Sequence, residues 1–331
     1  MALGPGGTVA RRTVLWTALG ALALPSAGCG IRLEDDAPRL PLVPTRTPVP
    51  AEAELVALTQ DTAALAEAAA TLGGTLGNTL ATLHRRQDTV LTTTLVGQQV
   101  PMDALAAPPT TTAAPPTTGP TGLTPAATTA PPGPSGTAPP TTDGRAALAA
   151  AEGAAAASAG DLAGVGQDLR GTIAALHAQR YAAATVLSGR PPTVPHDAVS
   201  GEPVRALAAE TAAAIWMFEV VSARSRGGQR TRSDTTLRAL QGLLTDQVAG
   251  GSRPEDALGH PLPFEVRTAA DTARLARQVL EALRAGYGAR LEPVVTESGA
   301  DGMAALTRWL GTVEVEAHRW GLGLRPFPGL E

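Results

Sequence analysis

The sequence predicts an all-α protein, an export segment followed by two helical bundles. Three observations carry that expectation. Apolar residues recur at helical spacing through residues 52–96, 145–187 and 203–321. No alternating or β-branched run of strand type interrupts them. The 29 prolines and 36 glycines gather between those stretches instead of spreading evenly, which separates compact regions from tethers. With only 4 Trp, 2 Tyr and 3 Phe in 331 residues, any core is built from Ala, Leu and Val.

Composition also excludes several kinds of chemistry. All 26 basic residues are arginine, so neither a lysine Schiff base nor a P-loop lysine is available. A net charge of -4 offers nucleic acid no electrostatic foothold, and no nucleic-acid partner is expected. One cysteine permits no disulfide within the chain, so the fold rests on packing.

Residues 1–28 read as a signal peptide. Arg11 and Arg12 precede a moderately apolar stretch, residues 13–24, which is well short of the ~20 residues a membrane-spanning helix needs. The arginine pair in its Ala-Arg-Arg-Thr-Val-Leu setting resembles a twin-arginine export signal. Cys29 follows Ser26-Ala27-Gly28, and this resembles a bacterial lipoprotein box. Cleavage before Cys29 would free its thiol to carry a diacylglycerol, making the membrane a partner and the extracytoplasmic face of the cell membrane the expected location. Residues 29–50 contain Pro38, Pro41, Pro44, Pro48 and Pro50, a spacing that blocks helix and favours an extended stalk.

Residues 51–190 are expected to form the first bundle. Leu55, Leu58, Leu65 and Leu72 mark one helix, and Leu76, Leu80, Leu83, Val90 and Leu91 a second, with Gly73-Gly74 as the break. Residues 107–143 are almost wholly Pro, Thr, Ala and Gly, a disordered insert by composition and a candidate for O-glycosylation. Helical pattern resumes over 145–187, interrupted near Gly160. An internal echo links the two halves: Leu76, Thr79, Ala81, Leu83 and His84 recur as Leu169, Thr172, Ala174, Leu176 and His177. Two helical hairpins pairing into one bundle would bring His84 and His177 to equivalent positions, a candidate pair for a metal or haem.

Pro191, Pro192 and Pro195 mark residues 190–203 as a linker between domains. Residues 203–330 then carry four helical segments, at about 203–225, 229–249, 268–291 and 300–321. A tight Gly227-Gly228 joint and a long crossover over 250–267 give two hairpins joined by one long connection, the connectivity of a ferritin-like bundle.

Individual residues are suggestive as well. The segment His260-Pro-Leu-Pro-Phe-Glu-Val266, the helix through Glu281 and Tyr287, and the ending Ala317-His-Arg-Trp-Gly321 with Pro326-Phe-Pro-Gly-Leu330 resemble the ferritin-like domain of unknown function 4439 of actinobacterial exported proteins. The start at Gly28-Cys29-Gly-Ile-Arg-Leu-Glu-Asp-Asp-Ala37 resembles lipoproteins of that group. The resemblance implies the four-helix fold; it carries no activity with it. Members often show a Glu-His pair in the first bundle helix, and here Glu210 is followed by Thr211.

A di-iron bundle needs Glu from two helices and Glu-x-x-His from the other two, all converging. With ~100° of rotation per residue, Glu210 falls on the stripe of Leu207, Ala214, Met217 and Val221 and faces inward, while Glu219 faces out. Glu314 lies by Leu306, Leu310, Val313 and Ala317. Glu316 is expected outside, and Glu281 in a solvent ion pair among Arg274, Arg277 and Arg284. Asp234 sits near the apolar face of the second helix. His318 follows Glu314 by four residues instead of three. Glu210, Glu314 and His318 are therefore candidate ligands for iron or manganese that fall short of a di-metal set. The expectation is that the inward acids are structural, neutralised by hydrogen bonds or arginine, and that exchanging both for Gln would be neutral or mildly stabilising. The function expected is non-enzymatic: binding or assembly in the envelope, with no cofactor and an envelope protein as partner. The rival is a metal-dependent oxidoreductase using Glu210 and Glu314.

Overall fold

The computed structural model describes residues 46–106, 142–254 and 259–330. Arg11, Arg12, Cys29, the stalk up to residue 45 and residues 107–141 of the insert lie outside the described residues. Those described form helices α1 (Glu52–Leu72), α2 (Gly74–Gly97), α3 (Met102–Ala106), α4 (Thr142–Ala157), α5 (Gln167–Ser188), α6 (Glu202–Arg224), α7 (Gly227–Val248), α8 (Ala269–Gly288) and α9 (Leu291–Arg319), with one 3-10 turn at Ala159–Leu162 and no strand among them.

Local chemistry sets the helix ends. Glu52 accepts the Val49 N–H at 2.9 Å and pairs with Arg46, placing an acid in the first turn of α1, where the exposed amides favour it. Gly73, at φ 65, ends α1 and opens α2 after a single residue. Thr268 and Asp271 form a reciprocal capping box that starts α8, Asp271 N–H to Thr268 Oγ1 at 3.1 Å and Thr268 N–H to Asp271 Oδ2 at 2.8 Å. The last helix is two helical pieces that meet at a kink at Gly299 (φ 55, ψ -129): the second starts at residue 300 as expected, and the first, from Leu291, occupies what the sequence leaves as a connection.

Helices α6 to α9 pack in a ring, with α6 against α7 and α8, and α9 against α8 and α7. Before them, α1 packs on α2 and α4, and α4 on α5. Among the described residues the most extensive helix contact joins α5 to α9. Every residue from Ile173 to Ala184 is buried, so α5 is covered on all sides. Among the described residues, α6 alone is long and apolar enough to cross a membrane; Val204, Leu207, Ala214, Phe218 and Val221 are instead buried in the common core.

That core departs from the expected division into 51–190 and 203–330. Arg46–Glu331 forms one compact unit, and a single apolar cluster contains Leu55, Leu91, Ile173, Leu207, Leu280 and Trp309. Residues 190–203 act as a strap: Val194 and Val199 are buried, the Asp197 N–H reaches Asp301 Oδ1 at 2.9 Å, and the Gly201 N–H reaches Ser252 Oγ at 3.1 Å. The reason is the second apolar face of α9, which α5 covers. Gly311 makes this approach possible, since a Cβ there would lie 2.5 Å from Tyr181 Cδ1 and 2.9 Å from the Ala178 carbonyl oxygen. Gly311→Val is therefore expected to cost about 1–3 kcal/mol in a urea melt; a wild-type midpoint would show that the joint tolerates separation.

Candidate functional site

The carboxylates of the α6–α9 ring meet arginines. Glu210, half-buried on α6, has Oε1 2.7 Å from Arg290 Nη1. It lies across α8 at Gly286, where a Cβ would stand 1.8 Å from Glu210 Oε2. Burial raises its pKa, and Arg290 opposes the rise. Glu314 is fully buried on α9; Oε2 is 2.7 Å from Arg284 Nε and Oε1 accepts the Arg325 N–H at 2.7 Å. Burial pushes Glu314 up to about 7, against the pull of Arg284 and the Arg325 N–H. Arg284 is buried too, donates to the Gly323 carbonyl at 3.1 Å, and so ties the ring to the chain's last turn.

Three expectations about side-chain direction change. His318 is exposed and does not join Glu314. Glu316 is buried, not outside: it accepts from Thr236 Oγ1 at 2.7 Å and pairs with Arg319 at 2.8 Å. Glu281 is only partly exposed, pairing with Arg325 at 3.0 Å and lying 3.5 Å from Arg284. Helix α9 has no wet face over Val313–Ala317: Val315 packs with Ala182 and Ala183 of α5, while Glu316 turns to Thr236 of α7. Asp234 meets Ser222 and Arg230.

These residues do not fit a di-metal site. Glu210 and Glu314 each face a guanidinium, which competes for the carboxylate and repels a cation, and no three His, Cys, Asp or Glu converge among the described residues. Where a ligand histidine would follow Glu210, Thr211 bonds the Tyr287 hydroxyl at 2.9 Å, and Gln247 Nε2 donates to the same hydroxyl at 2.5 Å. Burial raises the Tyr287 pKa, consistent with a neutral phenol serving as a hydrogen-bond bridge.

A second polar cluster lies where the sequence echo falls. His84 on α2 and His177 on α5 are both fully buried, as are Gln87, Glu152, Gln179 and Arg180. Gln87 Nε2 donates to Gln179 Oε1 at 3.0 Å and to the Pro326 carbonyl at 2.7 Å, which leaves its Oε1 to accept from His84 Nδ1 at 3.0 Å. His84 Nε2 stands 2.6 Å from Glu152 Oε1, so that contact shares a proton. His177 donates from Nδ1 to the Ala155 carbonyl at 2.8 Å. Burial, then the charge of Arg180, pushes His177 down to about 3, so its ring is neutral near neutral pH. Arg180 reaches Thr62 Oγ1 at 2.5 Å.

The two histidines thus share one polar layer without forming a ligand pair. Both nitrogens of His84 are engaged, and the Arg180 charge disfavours a cation beside His177. The layer crosslinks α1, α2, α4, α5 and, through Pro326, the final residues of the chain. Glu152, Gln179 and Arg180 escaped the sequence reading. Their signal was a charged or amide residue within an otherwise apolar helical run, Gln179-Arg180 between His177 and Tyr181 being the clearest case.

The comparisons with known proteins bear on α6 to α9 alone. No curated protein and no solved structure matches the chain. Residues 204–331 match the model of one family, described as Domain of unknown function (DUF4439), so the four-helix ring and the C-terminal segment laid across it are similar to that family.

Proposed function

We propose that this protein is an exported lipoprotein, attached through Cys29 to the outer face of the cell membrane, with a helical body that serves binding or assembly in the envelope and not catalysis. Arg11 and Arg12 supply the twin-arginine export signal in this reading, and residues 29–50 the stalk. The ring of α6 to α9, two hairpins joined by the long 249–268 connection, is taken as a ferritin-like four-helix bundle that has exchanged metal ligation for ion pairing. One observation supports the non-enzymatic part of the reading: each inward carboxylate of that bundle lies against an arginine, Glu210 on Arg290 and Glu314 on Arg284. A guanidinium beside each carboxylate competes for its oxygens and repels a cation brought to the same place.

Two measurements test the two halves of the proposal. Cys29→Ser should move the protein from the membrane fraction to the soluble fraction or medium; unchanged membrane association would end the lipoprotein reading. Protein purified from its native envelope should carry no stoichiometric iron or manganese. One such ion per chain, lost in Glu314→Gln, would instead favour the metal-dependent oxidoreductase.

A further inference from the structure

Helix α4 and the C-terminal end of α5 enclose a groove of about 740 Å³. Its floor is Ala146, Ala149 and Ala150 from α4 with Ala184 and Leu187 from α5, and Pro191 and Pro192 of the strap form a wall. The far end closes at Gly153, where a Cβ would stand 3.3 Å from Pro192 Cβ and 3.9 Å from Ala184 Cβ. Two arginines, Arg145 and Arg190, line the groove, and none of its lining residues is acidic. This is notable in a chain of net charge -4.

Arg145 is held in place. Its Nε donates to the Leu187 carbonyl at 2.7 Å and its Nη2 to the Val186 carbonyl at 3.1 Å, both left open by the end of α5. Among the described residues its other terminal nitrogen has no partner. Arg190 is exposed, and its guanidinium has no partner among the described residues. A trough with two guanidinium groups and no acid among its described lining residues is complementary to an anionic head on a single apolar chain, and guanidinium favours the paired oxygens of a carboxylate.

We propose that this groove binds a medium-chain carboxylate, with its acyl chain on the alanine floor between α4 and α5 and its head on Arg145 and Arg190. From position 145 to 153 is eight helical steps, or ~12 Å, the reach of an extended chain of about ten carbons. The site therefore prefers decanoate or dodecanoate to hexanoate. It does not depend on the membrane anchor, so it stands or falls separately from the lipoprotein reading.

The test is calorimetric titration of the full chain carrying Cys29→Ser with dodecanoate below its micellar concentration. Saturable binding of one molecule per chain is expected. Hexanoate and the uncharged dodecan-1-ol should each bind about tenfold more weakly or worse, the first from lost apolar burial and the second from the missing charge. Arg190→Gln should weaken dodecanoate by about tenfold. Ala150→Leu fills the trough from an exposed helical position, so it should abolish binding while leaving the melting temperature unchanged; Ala146→Leu is the replacement should that variant melt early. Absence of saturable binding, equal affinity for the alcohol, or binding indifferent to both leucines would overturn the proposal. So would binding only to phosphatidylglycerol vesicles, which would assign the arginines to a bilayer surface, or a concentration-dependent dimer lost in Ala150→Leu, which would assign the groove to a second copy.

Discussion

Replacing His177 with Gln is expected to remove the largest acid-sensitive contribution to stability. Burial pushes the His177 ring down to about 3 in the folded protein from an ordinary value of 6.5. The unfolded chain therefore takes up a proton that the folded one refuses. Its contribution is complete above pH 6.5 and is lost as pH falls toward 3, at up to about 1.4 kcal/mol per pH unit. Glu314 acts in the opposite sense. Its folded value of about 7 exceeds the ordinary 4.5, so its contribution is complete below 4.5 and is lost as pH rises through 7. Between 4.5 and 6.5 these two slopes oppose each other, and the native protein should show a shallow plateau there with a steep fall below it. Gln can still donate to the Ala155 carbonyl without titrating. The stability advantage of wild type over His177→Gln, read from urea midpoints, should shrink by several kcal/mol from pH 7 to pH 4. A pH-independent difference would show that the His177 environment is not as dry as its burial implies.

Arg284→Met should be among the most damaging single changes, at about 3–5 kcal/mol, because it leaves the Glu314 carboxylate buried without its partner. The loss should be greater at pH 8 than at pH 5, since Glu314 is ionised above about 7 and protonated below. Adding Glu314→Leu should recover much of the stability, as removing both members of a buried pair avoids the stranded charge. An equal loss at the two pH values, or a strictly additive double variant, would mean that Arg284 acts through its Gly323 bond alone. The same pairing reverses the sequence-based expectation for Glu210→Gln with Glu314→Gln. Those exchanges were expected to be neutral or mildly stabilising for acids with only local hydrogen-bond partners, but here they strand Arg284, which is buried, and Arg290, which is partly exposed.

Helix positions were largely legible in the sequence. The segments expected at 203–225 and 229–249 are Glu202–Arg224 and Gly227–Val248, and the Gly73-Gly74 break falls where α1 gives way to α2. The echo was legible as burial: Leu80, Ala81 and His84 and their counterparts Ile173, Ala174 and His177 are all buried. Periodicity reports which residues avoid water along one helix, and that is a local property. Partners are not. No spacing in the sequence pairs Arg284 with Glu314, or Gln87 with Pro326, because residues 30 or 239 positions apart meet only once the helices have packed.

By itself, then, the sequence determined the all-α class, the positions of most helices, the burial of Glu314, and the lack of lysine and disulfide chemistry. Only the tertiary structure decided that the two helical regions share one core, that Glu316 is buried and His318 is not, and that Glu210 and Glu314 meet arginines while His84 meets Gln87 and Glu152. The physical reason is α9. A helix with apolar residues most of the way round has no single inside, and its second face is fixed by whichever partner covers it. That partner is α5, whose alanines allow it to approach α9 at Gly311.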